Sequence, residues 1–185
     1  MKYLKWVFKE KLNNKERPLR IDDVTICHTW DPDNPDWDKR GGFNFSNEEN
    51  ILRWITRGDT LCELELPDDA EVRSVKNEKT PNGIFVANKI ILKNPIPISD
   101  ELTMKLYKKS DMSIKTYFET IAALAVKGCF ETCHRIINDK VNKDNIDEAL
   151  YEYNNFIKPW HQGPVNKEVF DKVLDELQKI KDDKR

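Results

Sequence analysis

The sequence predicts an α+β protein in which the strands come first and the helices follow. Before residue 98, short apolar runs rich in β-branched and aromatic residues alternate with turn residues, which is typical of strands. After residue 99, apolar residues recur every three or four positions, which is typical of helices. The prolines within residues 94–98 indicate a stiff connector. We therefore predict a mixed α/β domain over residues 1–98 and a helical module over 99–185 packed on it.

Six strands and one helix are expected in the first domain. The strand runs are Tyr3–Phe8, Val24–Thr29, Phe43–Phe45, Leu61–Leu66, Val72–Val75 and Ile84–Leu92. The helix is predicted because Ser46 and Glu49 have the spacing of a capping box, with Ser46 as the N-cap. An apolar stripe follows from Ile51, and Gly58 ends the helix.

Five helices are expected in the second module. Ser99 and Ser113 are the predicted N-caps of the first two, and Gly128 closes the second. The remaining three are predicted over about residues 130–138, after a cap at Asp144, and over 166–181 behind a break at 159–164.

Composition and charge limit the classes of partner. The 185 residues include 31 basic and 33 acidic ones, and five Trp, five Tyr and eight Phe can supply a core. Each part of the chain has a net charge of −1, which favours a protein over a nucleic acid as the macromolecular partner. No apolar run approaches the length of a membrane span and the first residues are charged, so we expect a cytoplasmic protein without membrane contact.

The four cysteines are expected to be reduced thiols. Cys129 and Cys133 lie four residues apart next to His134, but no second cluster completes a zinc site, and no metal is predicted. Cys27 precedes His28 directly, and adjacent strand residues point to opposite faces, which disfavours a Cys–His dyad.

The segment 31–40 is predicted to be a loop, since it contains two prolines and four aspartates. Long ordered loops are often functional, and a solvated connector is the alternative. Trp30 directly precedes this loop and Trp37 lies within it, and the two are interpreted either as a hot spot for a partner or as a cap on the core.

Three segments resemble the core of the ADP-ribosyltransferase superfamily. They are Thr25-Ile26-Cys27-His28-Thr29-Trp30, Gly42-Phe43-Asn44-Phe45-Ser46 before a helix, and Thr60-Leu61-Cys62-Glu63-Leu64-Glu65-Leu66. In the branch of poly(ADP-ribose) polymerases and diphtheria-type toxins, a strand ends in His-Gly-Ser/Thr. A loop then leads to Gly-Ile/Leu-Tyr-Phe, a helix and an apolar strand. The resemblance implies the split β-sheet of that superfamily, followed here by a C-terminal helical bundle.

The resemblance also implies NAD as the cofactor and a site to hold it. His28 and Thr29 would hold the ribose hydroxyls, and Phe43 or Phe45 would clamp the nicotinamide. Asn44 stands at the family's tyrosine position. These five residues would line one cleft, with His28 and Asn44 on adjacent central strands.

Glu63 and Glu65 are the candidate catalytic carboxylates beside His28. Cleavage of the nicotinamide–ribose bond builds positive charge on the ribose, which a carboxylate stabilises. The structural alternatives stay open: His28 as a structural histidine, the glutamates as a solvent face, and the phenylalanines as core.

The block from Gly41 through Pro97 also resembles an uncharacterised domain of bacteria, phages and large DNA viruses, sometimes placed before ankyrin-like repeats. The shared features are Gly-Gly-Phe-x-Phe-Ser, Leu-Pro-Asp-Asp-Ala and Ala-Asn-Lys-Ile-Ile-Leu. This resemblance implies a fold unit without an assigned activity.

Three functional hypotheses follow. The first is an NAD-dependent mono-ADP-ribosyltransferase-like protein that modifies a macromolecule in phage–host or toxin conflict. The second is a catalytically degenerate protein-binding module, an interaction or inhibitor protein that acts through the 30–42 loop and the helical surface. The third is a nucleic-acid or nucleotide-handling protein.

Overall fold

Among the described residues, every strand ends by Pro97 and every α-helix begins at Asp100 or later, as the sequence predicts. The computed structural model describes residues 2–13, 19–75, 83–160 and 165–183, without the side chains of residue 37 and residues 157–160. The strands are β1 (Tyr3–Val7), β2 (Val24–Ile26), β3 (Phe43–Asn47), β4 (Thr60–Glu65), β5 (Val72–Ser74), β6 (Ile84–Ala87) and β7 (Lys89–Pro97). The α-helices are α1 (Asp100–Lys109), α2 (Ile114–Val126), α3 (Phe130–Lys140), α4 (Ile146–Trp160) and α5 (Lys167–Asp182). Short 3-10 helices cover Lys9–Lys11, Trp37–Lys39 and Ile51–Arg57.

The chain divides into two compact units. The first contains residues 1–51 and 57–97, and the second contains residues 98–185 together with 52–56. Within the described residues, the first unit holds the sheet and the second holds the five α-helices.

The described residues of the first unit form one seven-stranded antiparallel sheet. The strand order is β2-β7-β4-β1-β3-β6-β5. Asn88 alone separates β6 from β7 in the chain, although three strands lie between them in the sheet. The run from β7 to β6 must therefore curl until its two ends meet at Asn88. The sheet encloses an apolar core that includes Phe45, Cys62 and Ile90.

The bend at Asn88 was not expected, because the sequence predicts one strand over 84–92. The Asn88 side chain accepts a hydrogen bond from the Glu71 amide at 2.9 Å, and its backbone carbonyl accepts one from the Cys27 amide at 2.8 Å. These bonds hold the residue at which the chain passes from one part of the sheet to the other.

The predicted capping box at Ser46 is wrong. Ser46 lies inside β3, opposite Leu4 of β1 and Ile84 of β6, and its hydroxyl donates to the carbonyl of Gly83. The helix that follows is a 3-10 helix that starts at Ile51. Pairing on both sides of β3 keeps Ser46 extended and overrides the local helix signal.

The predicted connector over residues 94–98 is also wrong, because β7 continues to Pro97. The pairing of β4 with β7 shifts register between Leu61 and Glu63, and Asn94 has a φ of 50°. A bulge of this kind lets a strand continue through residues that cannot donate to the ladder, as Pro95 and Pro97 cannot.

Three predicted helix-end residues of the helical unit, Ser99, Ser113 and Gly128, are confirmed. Ser99 and Ser113 accept hydrogen bonds from the amides of Leu102 and Thr116, and Gly128 adopts a φ of 81° after α2. The Asn166 side chain likewise caps α5. Residues 116–126 of α2 are all buried, which makes α2 the central helix of this unit.

Two boundaries around α4 differ from the sequence prediction. The helix begins at Ile146 and not directly after Asp144. It also continues to Trp160, through Pro159, where a break is predicted. Residues 161–164 lie outside the described part of the chain. Among the described helices, none is both long and apolar enough to span a membrane.

Candidate functional site

A cavity of about 440 Å³ lies on the outer face of the β3, β6 and β5 end of the sheet. Its floor comes from these strands, and its wall comes from the loop that the sequence singled out between residues 30 and 42. The lining residues are Trp30, Pro32, Asp38, Arg40, Gly41, Gly42, Asn44, Arg73, Ser74, Val75 and Val86.

The floor of the cavity is a row of side chains across three strands. Asn44 of β3 is paired with Val86 of β6, and Val86 is paired with Arg73 of β5. Paired residues in a sheet share a face, so these three side chains stand together. Their chain neighbours, such as Phe45 and Val72, face the apolar core on the other side.

The wall of the cavity is a loop held by its own hydrogen bonds. The Asp31 amide donates to the Arg40 carbonyl at 2.9 Å, which closes the loop at its base. Arg40 Nε donates to the Asn34 carbonyl at 2.6 Å, and the Asp36 amide donates to Asn34 Oδ1 at 3.0 Å. These bonds give the wall a defined shape before any ligand arrives.

Gly42 lets the wall approach the floor. It has a φ of 90°, and a Cβ built there would lie 2.7 Å from Cζ3 of Trp30 and 2.6 Å from Cγ2 of Val86. Only a residue without a side chain permits this contact. A hydrogen bond also fixes the orientation of the Trp30 ring, because its indole Nε1 donates to Glu71 Oε2 at 3.0 Å.

Charged groups of both signs border the cavity. Arg40 and Arg73 contribute guanidinium groups, and Asp38 contributes a carboxylate. Glu71 is next to the cavity and has its carboxylate bound by Trp30. The Arg73 guanidinium makes a long 3.5 Å hydrogen bond to the carbonyl of its neighbour Val72.

His28 and Thr29 lie in a turn after β2 with exposed side chains. In the described part of the chain β2 pairs with β7, whereas Asn44 belongs to β3, which pairs with β1 and β6. The prediction that His28 and Asn44 project from adjacent central strands is therefore wrong. Sequence order placed these strands next to each other, but β7, β4 and β1 separate them in the sheet.

Of the five residues predicted to bind the cofactor, Asn44 lines the cavity. Phe45 is buried in the core, with its ring 5.0 Å from that of Tyr3 and 5.5 Å from that of Phe85, and Phe43 packs against the same core. The two phenylalanines therefore face the core and do not line the cavity, where they could contact a nicotinamide. NAD binding stays a prediction.

Glu63 and Glu65 lie on β4 and are not among the residues that line the cavity. Glu63 binds the Lys2 ammonium and accepts a hydrogen bond from Asn94 at 2.9 Å, and these two bonds lower the pKa of its carboxyl. Glu65 forms a 2.7 Å ion pair with Lys93. Their catalytic role stays a prediction that these contacts do not support.

Cys27 forms a hydrogen bond with Gly42 of the cavity wall. Its Sγ accepts a hydrogen bond from the Gly42 amide at 2.9 Å and lies 3.5 Å from Thr29 Oγ1. Partial burial opposes ionisation, but the hydrogen bonds from Thr29 and Gly42 outweigh it and lower the pKa of the thiol. The contact fixes Gly42 at the start of β3.

The other three cysteines are buried free thiols. Burial raises the pKa of Cys62 and that of Cys129 to about 11. Across the described residues, no group of three or more His, Cys, Asp or Glu side chains is arranged to hold a metal ion.

Sequence reasoning found the loop and Asn44 but missed Arg73 and Val86. Neither residue belongs to a motif, and their position in the site depends on the pairing of β5 with β6 and of β6 with β3. Comparison with known proteins gives no matching family model, no matching curated protein and no matching solved structure.

Proposed function

We propose that the strand-rich unit is a catalytically degenerate protein-binding module that receives a segment of its partner in the cavity behind the 30–42 loop. The observation that carries the proposal is the cavity itself, with a volume of about 440 Å³ and a hydrogen-bonded wall. Ligand pockets commonly have volumes of about 300–1,000 Å³, so the cavity is large enough to hold side chains of a bound segment.

The lining has the chemistry of a protein-recognition site. Trp30, Arg40 and Arg73 are of the residue types that contribute most to the free energy of protein association. The closed loop and Gly42 hold Trp30 in place, so little conformational entropy is lost on binding.

The placement of the predicted catalytic groups supports binding over group transfer. Glu63 pairs with Lys2, just before β1, Glu65 pairs with Lys93 of β7, and Phe45 is part of the core. A transferase needs a carboxylate against the developing charge on the ribose. Asp38 is the carboxylate among the residues that line the cavity, and it lies on the loop.

The experiment selects peptides from a random displayed library against the wild-type protein and measures their affinity by calorimetry. The variant Asn44→Trp fills the floor of the cavity and should weaken binding at least about tenfold. The matched control, Val24→Trp, places the same side chain on β2, outside the cavity lining, and should leave the affinity unchanged. Far-UV circular dichroism checks that both variants fold.

Two outcomes would overturn the proposal. One is a library that yields no peptide whose binding depends on Asn44. The other is release of nicotinamide from NAD by the wild-type protein, with loss of that release in His28→Ala. The second outcome would favour the transferase hypothesis and would be measured directly by chromatography.

A further inference from the structure

The edge strand β5 lies beside the cavity. Within the described residues β5 pairs with β6 alone. Two hydrogen bonds fix which of its backbone groups face β6: the Asn88 amide donates to the Glu71 carbonyl at 3.2 Å, and the Val75 amide donates to the Ile84 carbonyl at 2.9 Å. In an antiparallel pair, backbone groups alternate between the two sides. The amides and carbonyls of Val72 and Ser74 therefore face the outer edge.

The same strand supplies side chains to the cavity. Arg73 and Val75 both line it, and both lie on the face opposite Val72. A strand added at this edge would pair a residue with Arg73, and that residue would share the cavity face with it at a Cβ separation of about 5 Å. The next residue on that face, two positions along, would stand opposite Val75.

The charges at this position favour an acidic side chain. Arg73 has a guanidinium whose hydrogen bond to Val72 is at the 3.5 Å limit, and Arg40 lines the same cavity. Glu71, the neighbouring acid on β5, is bound by Trp30 and not by Arg73. A guanidinium binds a carboxylate through two parallel hydrogen bonds when both partners are available.

On the basis of the proposed function, we propose that the partner segment binds as an extended strand along the outer edge of β5, with an acidic side chain against Arg73 and an apolar side chain against Val75. Backbone hydrogen bonds to Val72 and Ser74 supply the affinity that any extended chain would share. The cavity supplies the selectivity for the alternate side chains.

The opposite edge of the sheet lacks this combination. β2 exposes Val24 and Ile26, at 37% and 47% of their full accessible surface, but neither residue lines the cavity. An edge strand without a neighbouring pocket can form backbone hydrogen bonds with a peptide but cannot select among peptide sequences. We therefore expect a peptide to bind at the β5 edge and not at the β2 edge.

The test uses a peptide selected on the wild-type protein and two synthetic analogues of it, which have Glu or Lys at the position that faces Arg73. Arg73→Glu should weaken the Glu peptide at least about tenfold and restore binding of the Lys peptide, because the charge pair is then reversed. Arg57→Glu is the matched control, since Arg57 is exposed and lies outside the cavity lining, and it should change neither affinity.

The backbone part of the proposal is tested by N-methylation of single peptide amides. Methylation of the amides that face β5 should abolish binding, while methylation of the alternate amides should not. Peptides that depend on Asn44 but show no acidic preference and no alternating N-methyl effect would overturn the strand-addition proposal and leave the binding function standing. Loss of the Asn44 dependence itself would overturn both.

Discussion

Ser46 is a buried strand residue whose place in the sequence resembles that of a helix N-cap. Its spacing to Glu49 is that of a capping box, but in the structure it lies within β3 and is 1% exposed. Its hydroxyl is bonded to the carbonyl of Gly83, just before β6. The hydrogen bond therefore links two neighbouring parts of the sheet and does not begin a helix.

Substitution of Ser46 distinguishes the two roles. Aspartate is as good an N-cap as serine, so Ser46→Asp would be tolerated in a capping box. In β3 it buries a carboxylate, and we expect a loss of at least about 2 kcal/mol in the free energy of unfolding. Urea denaturation measures it, with Ser74→Asp on the exposed β5 as the control. Equal stability of Ser46→Asp and wild type would contradict the structure.

Lys5 is a half-buried amine on the side of β1 that faces the core. It is paired with Cys62 of β4, and its ammonium donates to the Asn44 carbonyl. Desolvation is the main cause that lowers the pKa of Lys5 to about 8 from 10.5, while the thiol of Cys62 acts in the opposite direction. The charged lysine is therefore disfavoured in the folded state.

The expected pH dependence follows from the sign of this shift. Because the folded pKa lies below the unfolded one, the destabilisation is full below pH 8 and disappears as the pH rises to about 10.5. Lys5→Met should stabilise the protein by about 1–3 kcal/mol at pH 7, and this advantage should shrink over that window. Comparing variant with wild type removes the opposite contribution of the buried thiols, whose pKa is raised.

Denaturation at several pH values measures this advantage. Lys9→Met, at an exposed position near β1, is the matched control and should show no such advantage. An advantage of Lys5→Met that stays constant from pH 7 to pH 10.5 would contradict the assigned shift.

At the scale of elements, α3 is capped by a residue of another helix. Cys129 precedes α3 but provides no side-chain cap. Asp100, in the first turn of α1, accepts hydrogen bonds from the amides of Thr132 at 2.9 Å and Glu131 at 3.2 Å. The Asp100 carboxylate thus provides acceptors for two free amides at the start of α3. Its negative charge also interacts favourably with the positive N-terminal ends of α1 and α3.

Asp100→Ala should lower the free energy of unfolding by about 1–2 kcal/mol, since two helix amides lose their acceptor. Glu101→Ala is the matched control in the same turn, where the exposed carboxylate forms an ion pair with Lys105. We expect a change below about 0.5 kcal/mol for that control. If the two variants lose the same stability in thermal unfolding, the link between the helices is not formed.

The elements that were predicted well are those whose pattern is local. β4 alternates from Cys62 onward, and the helices have their caps at Ser99, Ser113 and Asn166. The elements that were predicted badly depend on distant pairing. Pro95 and Pro97 signal a connector locally, but pairing with β4 across a bulge keeps them in β7.

At the scale of the whole molecule, the fold class was predictable and the site was predictable only in part. The period of the apolar pattern gives an α+β chain with its helices at the end. The loop between residues 30 and 42 is visible from its prolines and aspartates. The floor of the cavity cannot be predicted from the sequence. Asn44, Val86 and Arg73 are distant in the chain and become neighbours only because β3 pairs with β6 and β6 pairs with β5.

The same strand order explains why the resemblance to a transferase core led to a wrong expectation of neighbouring strands. Similar segments in similar order suggested that the strands before His28 and around Asn44 pair with each other. The chain instead places β2 at the end of the sheet and closes the curl through Asn88. Segment order along a chain does not determine which strands pair.

Amide hydrogen exchange followed by NMR reports whether a peptide adds to β5 beside the cavity. We expect a selected peptide to slow exchange at the amides of Val72 and Ser74, which face the outer edge of β5, and to leave those of Val24 and Ile26 in β2 unchanged. Slowed exchange in β2 with no change in β5 would contradict this expectation.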